Sequence, residues 1–320
     1  MNPYELGATL YVPANHRSLL EIAIGKKYPY VRSVVFCTED AIKEADVRFA
    51  IDRLAEAVRR MERGSLRRFV RVRNPQVLKE IIGLPNIGAV DGFVLPKVDV
   101  SIIDEYLAVI PEGFNGKLML TIETAAAFDL EQMARLRQRL MGPDIRNRIL
   151  ALRIGGNDLL QCLGLRRPRR GTIYSTPIGS VINQLVMIFR PLGFHLTGPV
   201  FEYLNEARYL KRETRLDLQH GLFGKTAIHP NQVPIIENEY RVSRRDVKAA
   251  ERIVAAGAEA VFTWDGAMCE PATHRKWAES VLTRAQIYGV VDESISEIGR
   301  GRERGVGAHE SNGILRDGKD

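Results

Sequence analysis

The sequence predicts a (β/α)8 TIM barrel, an α/β fold, with a C-terminal helical extension. Three observations point there: eight short apolar runs, amphipathic segments between them, and a length of 320 residues. The expected strands are residues 9–12, 33–37, 69–73, 92–96, 118–122, 149–154, 194–197 and 225–228. Strands that alternate with helices pair in parallel, and eight of them close into a barrel. Such a barrel takes roughly 250 residues, which leaves room for extra helices. The barrel and its C-terminal helices are assigned to residues 1–291. Residues 292–320, rich in glycine and charge from Gly299 onward, are expected to form a flexible tail.

The segments between strands carry helical spacing. Ile51, Leu54, Ala55, Val58 and Met61 form one apolar stripe, with Asp52, Arg53, Glu56, Arg59 and Arg60 on the opposite face. Ser243 followed by Asp246 predicts a capped helix start running through Val254. Pro271 suits the first position of a last long helix through Trp277, Val281 and Tyr288.

Composition narrows the function classes. With 45% hydrophobic and 27% charged residues the chain can bury a large core and stay dissolved. No apolar run reaches the ~20 residues of a membrane span, and the N-terminus lacks a secretory pattern, so a cytoplasmic location is expected. Three widely spaced cysteines, Cys37, Cys162 and Cys269, argue against a disulfide framework or zinc knuckle. A net charge of +7 favours acidic partners. Only 7% aromatics, with no basic stripe among them, points away from nucleic acid and toward small acids.

Barrel enzymes place their chemistry at the C-terminal strand ends. Alternate strand residues face opposite sides, so Phe69, Arg71 and Arg73 share the inward face of the third strand. Met119, Thr121 and Glu123 do the same on the fifth. Asp158 follows the sixth strand, in a loop after Gly155 and Gly156. Two carboxylates and an arginine converging on one mouth suit a hard cation and a substrate carboxylate. The same residues would equally serve an internal ion-pair network that fills the barrel top.

LYVPANHR at 10–17 resembles the first-strand signature of the citrate lyase β-subunit and malyl-CoA lyase family, within the HpcH/HpaI aldolases. The resemblance continues through TEDA at 38–41, RVRN at 71–74, LPKVD at 95–99 and IET at 122–124. GGNDL at 155–159, FGKTAIHPNQ at 223–232 and DGAMCEP at 265–271 complete it in family order. The chain is most similar to a branch of C–C bond lyases associated with ATP-grasp enzymes in stress-response gene clusters. The resemblance implies that Glu123 and Asp158 ligate Mg2+ and that Arg71 binds the substrate's carboxylate or oxo group. It places Lys97 and Glu39 at the same mouth, as substrate-binding groups or as an ion pair shaping the loops. It also implies a homo-oligomer, a trimer or hexamer.

Two departures stand out. Cys37 replaces the family's usual aspartate, either as a nucleophile or as a packing thiol. Glu270 replaces an aspartate that in malyl-CoA lyase relatives reaches a neighbouring subunit's site as acid/base; it could equally be a helix-start charge before Pro271. The run LRRPRR at 165–170 would hold phosphates of coenzyme A or lie solvated. Lys225 and His229 are expected to end the eighth strand, with His229 as a structural histidine. The expected activity is a Mg2+-dependent retro-aldol or retro-Claisen cleavage, or the reverse, of a 3-hydroxy acid or its acyl-CoA thioester, with Arg71 and Glu270 as the catalytic pair. An acyl-CoA thioesterase, a class II pyruvate aldolase and a non-catalytic scaffold are the competing expectations.

Overall fold

Strand parity decides how this barrel fills. The computed structural model describes residues 1–292. The expected tail, apart from Asp292, lies outside them. The chain runs β1 (Ala8–Pro13), α1 (Leu19–Ala23), β2 (Ser33–Cys37), α2 (Val47–Arg59), β3 (Arg67–Arg71), α3 (Pro75–Ile82), β4 (Gly92–Leu95) and α4 (Ile103–Ala108). It continues through β5 (Lys117–Ile122), α5 (Leu130–Leu140), β6 (Ile149–Ile154), α6 (Gly156–Cys162), α7 (Ile178–Phe189), β7 (Leu196–Thr197), α8 (Ala207–Gln219), β8 (Lys225–Ala227) and α9 (Gln232–Glu239). These elements belong to a first compact unit, Met1–Glu239.

The eight strands are parallel, in the order β7-β6-β5-β4-β3-β2-β1-β8. A parallel bridge between Gly198 and Lys225 joins the two ends, so the sheet closes as a (β/α)8 barrel. Inward-facing Val35, Phe69, Val94, Met119 and Ala151 make one buried cluster with Leu6, the apolar plug of the barrel. Their strand neighbours Val34, Phe36, Val70, Phe93, Leu120 and Leu152 are fully buried on the other face. On α2 the stripe Ile51, Leu54, Ala55 and Val58 is buried, as its spacing predicts.

The second unit begins at Tyr240. It contains β9 (Val242–Ser243), α10 (Arg244–Val254), the antiparallel pair β10 (Phe262–Trp264) and β11 (Ala267–Cys269), α11 (Pro271–Tyr288) and β12 (Val290–Val291). Ser243 Oγ accepts the Asp246 amide at 3.0 Å, the expected cap, and Pro271 opens α11. Val242, Ala250, Ile253, Phe262, Cys269, Ala278 and Val281 form this unit's own core.

Two expectations about the strand ends need correction. β3 ends at Arg71, where its pairing with Cys37 ends, so Arg73 does not lie on the strand. The Arg73 guanidinium instead donates to the carbonyls of Thr38, Glu39 and Ile42. Lys225 opens β8 rather than ending it and turns toward α8. There its ammonium meets Glu213 Oε1 at 3.0 Å and Asp217 Oδ2 at 2.8 Å, with all three side chains buried.

That network also takes up the arginine run. Arg167, 0% exposed at its side chain, pairs with Glu213 and with Glu202 at 2.9 Å and donates to the Val200 carbonyl. Arg169 pairs with Glu206 at 3.1 Å. Two of the run's four arginines are therefore committed to holding the segment after α6 against α8, not to phosphate. Glu213 and Asp217 depend on their cations, because an unpaired buried charge is expensive. Lys225→Met should lower the unfolding free energy by about 3–5 kcal/mol in a urea titration. An unchanged midpoint would show that the network does not hold the barrel together.

Candidate active site

Five strand ends deliver the candidate side chains to one rim. β2 ends in Cys37 and turns through Glu39 and Asp40; β3 ends in Arg71; Lys97 follows β4; Glu123 follows β5; Asp158 lies in the first turn of α6, after β6. Asp158 is thus helical rather than in an open loop.

Glu39 is the hub of the charged group. It is 3% exposed, pairs with Arg71 Nη1 at 2.9 Å and Lys97 Nζ at 2.6 Å, and accepts the Asp40 amide at 3.0 Å. Burial pushes its carboxyl above the ordinary value, and the Arg71 guanidinium pulls against that. Asp40, half exposed, also faces Arg71 at 3.3 Å and Lys97 at 3.5 Å. Burial alone would pull Arg71 down, but the surrounding Cys37, Tyr11, Glu39 and Asp40 hold it above its usual value. Arg71 therefore stays cationic. Its Nε also donates toward Cys37 Sγ at 3.3 Å, and the Glu39 amide does so at 3.4 Å. The Cys37 thiol is buried and accepts both of these hydrogen bonds.

Lys97 does two jobs. Its backbone lies in the left-handed region, φ +53°, which is uncommon for a residue with a side chain. That twist aims its amide at Glu123 Oε1, 2.9 Å away, while its ammonium reaches Glu39. One strained residue thereby couples the ion-pair hub to Glu123.

Glu123 and Asp158 are the group's unbalanced members. Burial pushes Glu123 up to about 7, and the nearby Asp158 charge adds to this, against the Lys97 amide and Arg71. Asp158 is raised by burial and by Asp40, against Lys97 and Arg71. Among the described residues neither carboxylate has an ion pair of its own, and the Asp158 charge acts on Glu123. Gly155 packs directly on Glu123: a Cβ there would lie 2.2 Å from Glu123 Oε2 and 2.3 Å from its Cβ. The missing side chain lets the Glu123 carboxylate pack against the start of α6, the turn that carries Asp158. Among the described residues no group of three or more His, Cys, Asp or Glu is placed to hold a metal. Two protein carboxylates with water and substrate oxygens match the ligation magnesium accepts.

Arg71, Lys97, Glu39, Glu123 and Asp158 thus share one end of the barrel. Glu270 belongs to the second unit, where it caps α11; its carboxylate accepts from Thr273 Oγ1 at 3.1 Å and its amide donates to His274 Nδ1 at 3.0 Å. His229 Nδ1 accepts the Asn231 amide at 3.2 Å, the structural role expected of it. Sequence reasoning missed Tyr11, Asp40, Arg153 and the backbone of Lys97. Strand parity, as applied to Arg71, would have turned Tyr11 and Arg153 inward as well.

A family model described as a C-C bond lyase of the TIM-barrel fold matches residues 1–290. The citrate lyase β-subunit of Leuconostoc mesenteroides subsp. cremoris is 25% identical over 310 residues, covering 91% of this chain and 97% of that protein. A (3S)-malyl-CoA thioesterase of Cereibacter sphaeroides is 26% identical over 295 residues, covering 87% and 94%. Among solved structures, Mycobacterium tuberculosis CitE in complex with magnesium, acetoacetate and coenzyme A aligns at a TM-score of 0.65 and 20% identity, covering 88% of this chain and 99% of that one. A citrate lyase from Burkholderia xenovorans aligns at 0.69 and 15% identity, covering 91% and 97%. At those identities the structures speak for the fold.

Gly155→Ala should displace the Glu123 carboxylate and weaken magnesium binding roughly tenfold or more by calorimetry, with the far-ultraviolet circular dichroism unchanged. Unaltered affinity would show that Glu123 is not a ligand.

Proposed function

The chain belongs to the C-C bond lyases of the TIM-barrel fold, and from that premise we propose a magnesium-dependent enzyme that cleaves or forms a carbon–carbon bond in a 3-hydroxy acid or its acyl-CoA thioester. The observation that carries this reading is the raised carboxylate pair, Glu123 and Asp158, with Gly155 packed on Glu123 and a permanently cationic Arg71 at the same rim. Glu123 and Asp158 would hold Mg2+, which supplies Lewis-acid polarisation of the substrate's oxygens when bound.

The chain's own residues do the rest. Arg71 Nη2 donates no hydrogen bond among the described residues and is the free arm for a substrate carboxylate or oxo oxygen. As negative charge grows on the oxygen during retro-aldol or retro-Claisen cleavage, that fixed cation stabilises it without having to reorient. Glu39 is already engaged by two cations and acts by positioning Arg71 and Lys97. Lys97 keeps Glu123 aimed through its amide. Proton transfer to and from the substrate's hydroxyl and carbon falls to Glu270, contributed by a second copy of the chain in a trimer or hexamer. The resemblance to malyl-CoA lyases supports that assignment.

A second reading, hydrolysis of an acyl-CoA at the same site, is favoured by the similarity to a (3S)-malyl-CoA thioesterase. A screen of 3-hydroxy acids and their CoA thioesters, with mass-spectrometric identification of products, separates the two. Cleavage should release an oxo compound only when Mg2+ is present. Glu123→Gln should abolish turnover, and Arg71→Met should lower kcat/KM roughly a hundredfold. Free coenzyme A with an intact acyl acid would replace the lyase reading by the hydrolase; turnover that ignores magnesium and Glu123→Gln would remove both.

A further inference from the structure

Inside the barrel, next to the level of the carboxylate pair, lies a cation that no carboxylate balances. Arg153 sits on the inward face of β6 and is 2% exposed. Nη2 donates to Thr226 Oγ1 at 2.6 Å, and Nη1 has only the weak acceptor Met119 Sδ at 3.6 Å. The guanidinium lies 5.3 Å from the Tyr11 ring centroid, and Arg71 reaches the same ring at 5.4 Å. The two arginines differ in one respect. Arg71 has Glu39 and Asp40; Arg153 has no ion pair among the described residues. A buried guanidinium without an anion is an incomplete arrangement.

Its neighbours are incomplete too. Arg153 is in register with Thr121 on β5 and Thr197 on β7. Register partners in a parallel sheet present their side chains to one face, so all three line one level of the interior. The Thr121 and Thr197 hydroxyls are buried and have no hydrogen-bond partner among the described residues. Buried polar groups are ordinarily paired, and these two flank a guanidinium that has no carboxylate partner among the described residues. Tyr11 and Thr226, which border this level, are only partly buried.

We propose that Arg153, with the hydroxyls of Thr121, Thr197 and Thr226, is a carboxylate subsite within the barrel, additional to the one Arg71 offers at the rim. One acidic group meets Arg71 at the rim, and a second accepts from the Arg153 fork and the threonine hydroxyls, a charge-assisted set that satisfies every group left open. This rests on the lyase reading above and narrows its substrate.

Calorimetric titrations of the full chain with succinate and with butyrate, in Mg2+, test it. Succinate should bind roughly tenfold to a hundredfold more tightly than butyrate, the usual effect of one added charge-assisted contact. Arg153→Met should erase that preference and leave the magnesium titration and butyrate affinity unchanged; Arg153→Lys should restore part of it. Thr197→Val serves if Arg153→Met loses the fold. Removing a buried unpaired hydroxyl should raise its thermal midpoint, yet succinate affinity should drop severalfold. Equal affinity for the two acids, or an undiminished preference in Arg153→Met or Thr197→Val, would overturn the subsite. Absence of magnesium-dependent cleavage of any acid would count against the lyase reading and leave the titration's answer intact.

Discussion

Glu123 and Asp158 bring two negative charges into a poorly solvated rim, and the surrounding structure can be read as the means of holding them there. Neither has an ion-pair partner to itself. Arg71 and Lys97, the cations within reach, are bound first to Glu39. Lys97 adopts a left-handed backbone to offer Glu123 an amide, and Gly155 gives up a side chain so that the carboxylate fits. Strain and glycine at one point, with charge repulsion between carboxylates, are what a cation site looks like from the protein's side. Membership of a C–C lyase family gives that site a chemistry.

The opposite tactic operates on the outside of the barrel. Arg167, Lys225, Glu213 and Asp217 are as buried as Glu123, yet every charge there meets an opposite one. That network is closed by opposite charges, whereas at the mouth Glu123 and Asp158 have no ion pair among the described residues. The contrast explains why Arg167, part of a basic run that looks suited to phosphate in sequence, turns out to be committed internally. It also sets apart Arg153, a cation inside the barrel that has no ion pair among the described residues and only one oxygen acceptor.

Much of this was legible in the chain. Apolar runs located all eight strands, with β2 and β6 at the expected bounds, because a barrel strand needs apolar residues on both faces. Parity turned Arg71 and Glu123 inward, and glycines flagged the approach to Asp158. Ends were harder: β3 stops at Arg71 because pairing with β2 runs out, and nothing local to Arg73 signals that. Long-range partners were hidden altogether. That Lys225 would meet Glu213 and Asp217, or that Lys97 would reach Glu123 through its backbone, depends on contacts across the fold that spacing does not encode. Tyr11 and Arg153 were available by the same parity and were passed over because an isolated inward aromatic or arginine carries no motif.

The central claim is that Glu123 and Asp158 are a pair whose charge is completed by a divalent cation. Proton release during magnesium titration reads this most directly. With Glu123 at about 7 in the metal-free chain, its carboxyl is mostly protonated at pH 6 and mostly ionised at pH 8. Binding of Mg2+ favours the ionised form, so calorimetry in buffers of different ionisation enthalpy should find close to one proton released per ion at pH 6, falling toward none at pH 8, with affinity rising between them. The release should vanish in Glu123→Gln. No magnesium binding, or a release that Glu123→Gln leaves unchanged, would contradict the account.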